Sequence, residues 1–178
     1  MYPELKPYVV LITGGASGLG LAAAHGFAKE GATIVIADLQ EAAAKSIAQQ
    51  LGSQHLGLAC DVADEAQVNH VVDTVIKKYG RVDVLINCAG VADRVAPTVD
   101  QDMAHFRRLL DIHLTGTYMM TKACAVHMLK QGKGNVINIS SIAGVIGLTY
   151  RNAYSAAKAG ISMITRTLGC EWAAAGIR

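Results

Sequence analysis

The chain has 178 residues, 52% of them apolar and 17% charged, with 16 basic against 14 acidic side chains and a formal net charge of +2. That length suits one domain with a proper core and hardly two. A charged share below the roughly 25% of an average globular chain argues against disorder, and so small a net charge argues against a nucleic-acid or membrane-surface binder.

The start, Met1-Tyr-Pro-Glu-Leu-Lys-Pro7, carries acid, base and two prolines where a signal peptide needs an apolar stretch. No apolar run approaches the roughly 20 residues of a membrane span. Cys60, Cys88, Cys124 and Cys170 are far apart and form no Cys-x-x-Cys pair. They read as free thiols of a cytoplasmic protein. Neither they nor the histidines show metal-ligand spacing, so no metal site is expected.

In chain order, short β-rich runs occur at Tyr8–Thr13, Thr33–Ala37, Gln54–Ala59 and Val82–Ile86. Helical patterns lie between them. The first spans Leu19–Glu30 and closes at Gly31. The second shows Ala44, Ile47, Ala48 and Leu51 on one face and closes at Gly52. The third carries Val68, Val71, Val72, Val75, Ile76 and Tyr79 at helical spacing and closes at Gly80. Glycine just past each pattern fits a C-cap. A longer helical stretch is expected over Gln101–Lys130, with the stripe Phe106, Leu109, Leu110, His113, Leu114 and Thr117. A fifth strand, Asn135–Ser140, follows the turn at 131–134, and a last helix runs over Asn152–Ala175. Strand and helix alternate with the period of a βαβ unit, and the strands are apolar on both faces. The fold class expected is α/β, a doubly wound parallel sheet with helices on both faces.

The first strand runs into Thr13-Gly-Gly-Ala-Ser-Gly-Leu-Gly20, and a helix begins inside that loop. Glycines there let the backbone turn sharply and approach a diphosphate, whose charge sits at the helix N-terminus. Asp38 ends the second strand, 38 − 20 = 18 residues past Gly20. An acid there accepts from ribose hydroxyls and repels a 2′-phosphate; otherwise it caps the helix beginning near Leu39. No Lys or Arg lies between Thr13 and Gly20, or next to Asp38, to offset that repulsion, so NAD is favoured over NADP. Asp61-Val62 ends the third strand; Asp61 either meets an adenine amino group or caps the helix near Asp64. Asn87-Cys-Ala-Gly90 ends the fourth, with small residues that suit a closely packed cofactor or a tight turn.

Tyr154 and Lys158 share a helix face at i and i+4. A phenol ordinarily titrates near 10, and an adjacent cation favours the phenolate. Ser141 ends the fifth strand, 154 − 141 = 13 residues upstream of the tyrosine. The glycine loop, Asp38, Asp61, Asn87 and Ser141 all fall at carboxyl ends of strands, the edge where open parallel sheets bind ligands.

Taken together, Thr13-Gly-x-x-x-Gly18-x-Gly20, Asp61, Asn87-x-Ala-Gly90, Ser141 and Tyr154-x-x-x-Lys158 resemble the short-chain dehydrogenase/reductase family over essentially the whole chain. The resemblance implies a Rossmann-like sheet of strand order 3-2-1-4-5 and one NAD(P)-binding domain over residues 1–178. It implies hydride transfer between NAD(H) and a secondary alcohol or ketone. Tyr154 becomes the general acid/base and Ser141 the holder of the substrate oxygen, while Lys158 binds the nicotinamide ribose. The cofactor set is Gly14, Ser17, Gly18, Leu19, Gly20, Asp38, Leu39, Asp61, Val62, Asn87, Ala89, Gly90, Tyr154 and Lys158. A homodimer or homotetramer through the long fourth and last helices is implied as well.

The chain departs from the family at two places. Where the family carries an asparagine that completes a proton relay, His113 stands in Asp111-Ile-His-Leu-Thr-Gly116. Its place in the apolar stripe points it inward, either to serve the relay or to satisfy local backbone. The family also continues past Gly176-Ile-Arg178 with a sixth strand, a mobile substrate loop and a seventh strand. The expectation is a domain lacking those parts, with the fifth strand as an open edge and one substrate wall absent. A non-catalytic NAD-binding fragment of a longer dehydrogenase is the alternative reading.

Overall fold

β-branched and leucine-rich runs form five parallel strands in the computed structural model, which describes residues 2–178. They are β1 (Val9–Thr13), β2 (Thr33–Asp38), β3 (Leu56–Ala59), β4 (Val84–Asn87) and β5 (Asn135–Asn138), in the order β3-β2-β1-β4-β5. β1 is buried along its whole length because helices cover both faces. Its odd residues, Val9 and Leu11, pack into one core with α3 (Glu65–Tyr79) and α5 (Gly116–Gln131). Val10 and Ile12 pack into the other with α1 (Gly18–Lys29) and α2 (Glu41–Leu51). This is the doubly wound α/β sheet that the alternation predicts. Among the described residues no helix is long and apolar enough to cross a membrane.

The boundaries differ from the sequence expectation for identifiable reasons. β3 starts at Leu56 rather than Gln54 because His55 turns its ring into the sheet, where Nδ1 accepts from the Ile34 N–H at 2.9 Å. β5 stops at Asn138 because Ser140 donates its hydroxyl to the Lys158 carbonyl, 3.0 Å away, and Ser141 turns the chain into a 3-10 turn at Ile142–Gly144. The long helix begins at Met103, where Asp102 caps it by accepting from the Ala104 N–H at 2.9 Å. It is not uniform. α4 (Met103–Leu110) passes through one π turn, Asp111–Thr115, before α5. α6 (Asn152–Trp172) gives way to a 3-10 turn at Ala173–Ala175, closed by Gly176 at φ +77°.

Glycines 31, 52 and 80 all take positive φ after their helices, as the closing pattern implies. The edge of β5 is not entirely open. Val136 N–H donates to the Arg178 carbonyl at 2.8 Å, and Arg178 N–H to the Gly134 carbonyl at 3.0 Å. Those bonds flank an isolated parallel bridge between Gly134 and Ile177.

Candidate dinucleotide and catalytic site

The carboxyl ends of β1, β2, β3 and β4 surround a cleft of about 530 Å³, within the usual range of small-molecule and cofactor sites. The glycine loop forms its middle. Gly14 has φ +63°, and a Cβ there would lie 2.8 Å from the Ala89 Cα. A side chain is excluded on both counts, so the loop seats directly on the turn after β4. Thr13 fixes the same junction: its Oγ1 accepts from the Cys88 and Ala89 N–H groups at 3.1 and 3.2 Å. No side chain caps α1 at Ser17. The first N–H groups of a helix have no intrahelical partner and favour negative charge, and Ser17, Gly18, Leu19 and Gly20 line the cleft.

Asp38 does not cap α2, which starts at Glu41 behind Gln40. Its two oxygens instead accept from the Gln40 N–H and the Ala16 N–H, each at 3.1 Å. The carboxylate therefore joins the end of β2 to the glycine loop, with Leu39 exposed beside it on the cleft wall. Asp61 is not a helix cap either. Asp64 caps α3, accepting from Ala66 and Gln67, and that hydrogen bonding holds its carboxyl below the usual range. Asp61 Oδ1 accepts from the Ala63 N–H at 3.0 Å, and Oδ2 from Arg108 at 3.1 Å. Asp61 and Val62 both line the cleft.

Asn87 takes a different position from its neighbours. Its buried amide donates to Thr121 Oγ1 at 2.9 Å and Asn138 Oδ1 at 2.8 Å, tying β4 to α5 and β5. Ala89 and Gly90 reach the cleft; Asn87 supports them from behind. His113 projects inward from the π turn, 4% exposed. Its Nε2 lies 3.1 Å from the Val91 nitrogen and 3.0 Å from the Val91 oxygen, and its Nδ1 is buried without a partner. Gly90 makes room for the ring: a Cβ there would collide with Cε1 and stand 3.0 Å from Nδ1. Burial is the main cause that pushes the imidazole below its ordinary pKa of 6.5.

Tyr154, Lys158 and His113 meet at the β5 end of the cleft. The His113 and Tyr154 rings stand edge to face with centroids 5.4 Å apart. Lys158 Nζ lies 5.6 Å from the Tyr154 ring centroid and donates to the Ile139 carbonyl at 2.6 Å. Burial pushes the lysine pKa down from 10.5. Ser141 is not among the residues that line the cleft; it heads the 3-10 turn at Ile142–Gly144, where its Oγ accepts from the Ala143 N–H at 3.1 Å, which leaves its O–H to donate. A phenol and an ammonium are available to a ligand at this end of the cleft.

Sequence reasoning missed Gln40, Cys60, Cys88, Val91, Arg108, Ile112 and Ile139 on the wall. The motif Asn87-x-Ala-Gly90 already pointed to the turn that carries Cys88. Nothing local signalled Arg108, because its partner lies 47 residues away. Arg94 is exposed, and only its backbone N–H is engaged, donating to His105 at 3.3 Å. Among the described residues no group of His, Cys, Asp and Glu is arranged to hold a metal ion.

Comparison with known proteins identifies the family. The family model for short chain dehydrogenases matches residues 8–178. D-threitol dehydrogenase of Mycolicibacterium smegmatis is 40% identical over 98% of this chain and 68% of its own length. Cis-4-hydroxycyclohexanecarboxylate dehydrogenase of Sinomonas cyclohexanicum is 40% identical over 96% of this chain and 69% of its own. An NAD+-bound xylitol dehydrogenase superposes with a TM-score of 0.94 at 32% identity, over 98% of this chain and 68% of that one. The chain thus spans about two thirds of the length of these relatives. With five parallel strands in the family's order and a family match across nearly its whole length, the chain belongs to the short-chain dehydrogenase family.

Proposed function

We propose that the chain binds NAD(H) along the cleft and serves hydride transfer between that cofactor and the carbinol carbon of a secondary alcohol, or the carbonyl carbon of a ketone. The observation that carries this is the convergence of Tyr154 and Lys158 with the glycine loop on one cleft. The residues fit a dinucleotide: uncapped N–H groups of α1 suit a diphosphate, and Gly14 removes the side chain that would separate loop from wall. Asp38, anchored beside the glycine loop, accepts from ribose hydroxyls and repels a 2′-phosphate, so NAD is preferred to NADP. The relatives named for D-threitol, xylitol and cis-4-hydroxycyclohexanecarboxylate are all named for hydroxylated molecules, which supports an alcohol as substrate class.

In alcohol oxidation the Ser141 hydroxyl holds the substrate oxygen, and the Tyr154 oxygen takes its proton as the C–O bond gains double-bond character. The nicotinamide, when bound, supplies the hydride acceptor. The Lys158 ammonium stabilises the negative charge on the phenolic oxygen and binds the nicotinamide ribose. His113, with one ring nitrogen unpartnered beside Tyr154, passes the proton onward in the place the family gives to an asparagine. Reduction runs the same steps backward, with Tyr154 as the acid. In this reading copies of the chain assemble through α5 and α6, whose Tyr118, Val126, Leu129 and Met163 are exposed.

Titration with NADH, followed by an absorbance assay of NAD+ reduction with a panel of secondary alcohols, tests the reading. Binding with turnover is expected. Binding without turnover leaves only a dinucleotide-binding module. No binding of NADH removes the proposal altogether.

A further inference from the structure

The two ends of the cleft have different chemistry. The glycine loop leaves β1 in the middle of the sheet, and Tyr154 and Lys158 stand toward β5. If the diphosphate sits on the loop and the nicotinamide at Tyr154, the adenosine half extends the other way, over the ends of β2 and β3. The wall there includes Asp38, Leu39, Asp61, Val62 and Arg108 of α4.

We propose that Arg108 is the clasp of the adenine end: it grips Asp61 from α4 and holds that carboxylate toward the purine amino group. The proposal rests on the dinucleotide reading above.

Three observations support it. First, the Asp61 carboxylate is only half used. It accepts once from the Ala63 N–H and once from Arg108 Nη2, at 3.0 and 3.1 Å. A carboxylate offers about four acceptor sites, so capacity remains for a donor in the cleft. Second, Arg108 reaches Asp61 because the helix is seated close. Gly116 packs on the Asp61–Val62 turn so tightly that a Cβ would lie 2.9 Å from the Val62 carbonyl, and buried Leu109 fixes the rotation of α4. Third, Arg108 alone of the neighbouring pair Arg107 and Arg108 lines the cleft. Its guanidinium is half exposed there, always charged, planar and weakly hydrated. An exposed ion pair contributes little to stability, so the contribution expected of this one is to ligand recognition.

The discriminating probe is the reduced nicotinamide hypoxanthine dinucleotide, which carries a carbonyl oxygen where adenine carries its amino group. Calorimetric titration of wild type with NADH, ADP-ribose and the hypoxanthine analogue is expected to show about a tenfold preference for NADH over the analogue, the scale of one hydrogen bond to a charged group. Arg108→Ala should weaken NADH and ADP-ribose about tenfold and erase most of that preference, whereas Arg107→Ala, which removes the same charge, should change neither. Asp61→Asn should reproduce the loss of preference, and adding Arg108→Ala to it should cost little more. Melting temperatures near the wild type verify folding. Arg108→Ala that binds ADP-ribose within about twofold of wild type and keeps the NADH preference overturns the clasp and leaves NAD binding standing. Equal losses in Arg107→Ala and Arg108→Ala overturn it too. Wild type that binds neither NADH nor ADP-ribose removes the clasp and the dinucleotide reading together.

Discussion

Lys158 and Tyr154 are held side by side from two directions: one helical turn separates them along α6, and the Ile139 carbonyl anchors the Lys158 ammonium 5.6 Å from the Tyr154 ring centroid. The ammonium is buried, and burial is the first cause that lowers its pKa. The sign follows. A folded-state pKa below 10.5 means that folding disfavours the charged form, a cost present at neutral pH and lost as the pH rises through 10.5. Lys158→Met should therefore keep or raise the melting temperature while turnover falls at least about 100-fold. Thermal melts and an absorbance assay on the same sample check both halves.

Two buried histidines set the acid side. Burial lowers the pKa of both His55 and His113. The unfolded chain then takes up protons that the folded one does not, and stability falls as the pH drops below about 6.5. Melting temperature measured between about pH 5 and 8 should show that fall. His113→Asn should flatten it in part, with His55 supplying the remainder. In the same variant, an unchanged turnover and pH profile of kcat would remove any special role for the imidazole.

Asp38 is expected to set cofactor choice. Its carboxylate is fixed by the Ala16 and Gln40 N–H groups, so it cannot swing away from a 2′-phosphate without breaking both bonds. Asp38→Ser should narrow the NADH-over-NADPH preference at least about tenfold in Kd, mostly through tighter NADPH binding. An unchanged ratio would place cofactor choice elsewhere.

The thiols differ sharply in burial. Burial, with Asp61 and Asp64 nearby, pushes Cys60 up to about 12, and burial alone pushes Cys124 up to about 12. Cys170 is exposed, and Cys88 lines the cleft. Alkylation of the native protein near pH 8, mapped by mass spectrometry, should mark Cys170 first and spare Cys60 and Cys124. Cys88 should react slowly, since burial raises its pKa although Lys158 opposes the shift, and NADH should protect it.

Much of this cleft is legible in the sequence. The strand-end positions of Asp38, Asp61 and the glycine loop follow from alternation alone, because a parallel sheet gathers its carboxyl ends on one edge. The valines of α3 gave its buried face correctly. What escaped depends on contacts between distant segments. The π turn at Asp111–Thr115 has no composition signal, since the same residues suit a regular helix. The three acids Asp38, Asp61 and Asp64 look alike in sequence, yet only Asp64 caps a helix. Asn87 has the spacing of a cofactor ligand but spends its amide on Thr121 and Asn138. Arg108 reads as a solvated charge until α4 is placed against the end of β3.

In the proposed reaction Tyr154 moves the proton while hydride passes between substrate and NAD(H). Tyr154→Phe removes one oxygen and leaves the cleft wall, the Lys158–Ile139 bond and the edge contact with His113 in place. The most direct measurement pairs NADH titration of this variant with its turnover on whichever secondary alcohol or ketone the wild type accepts. A Kd within about twofold of wild type and a kcat at least about 100-fold lower are expected, the usual scale for losing a general acid/base. Near-normal turnover in Tyr154→Phe would contradict that role.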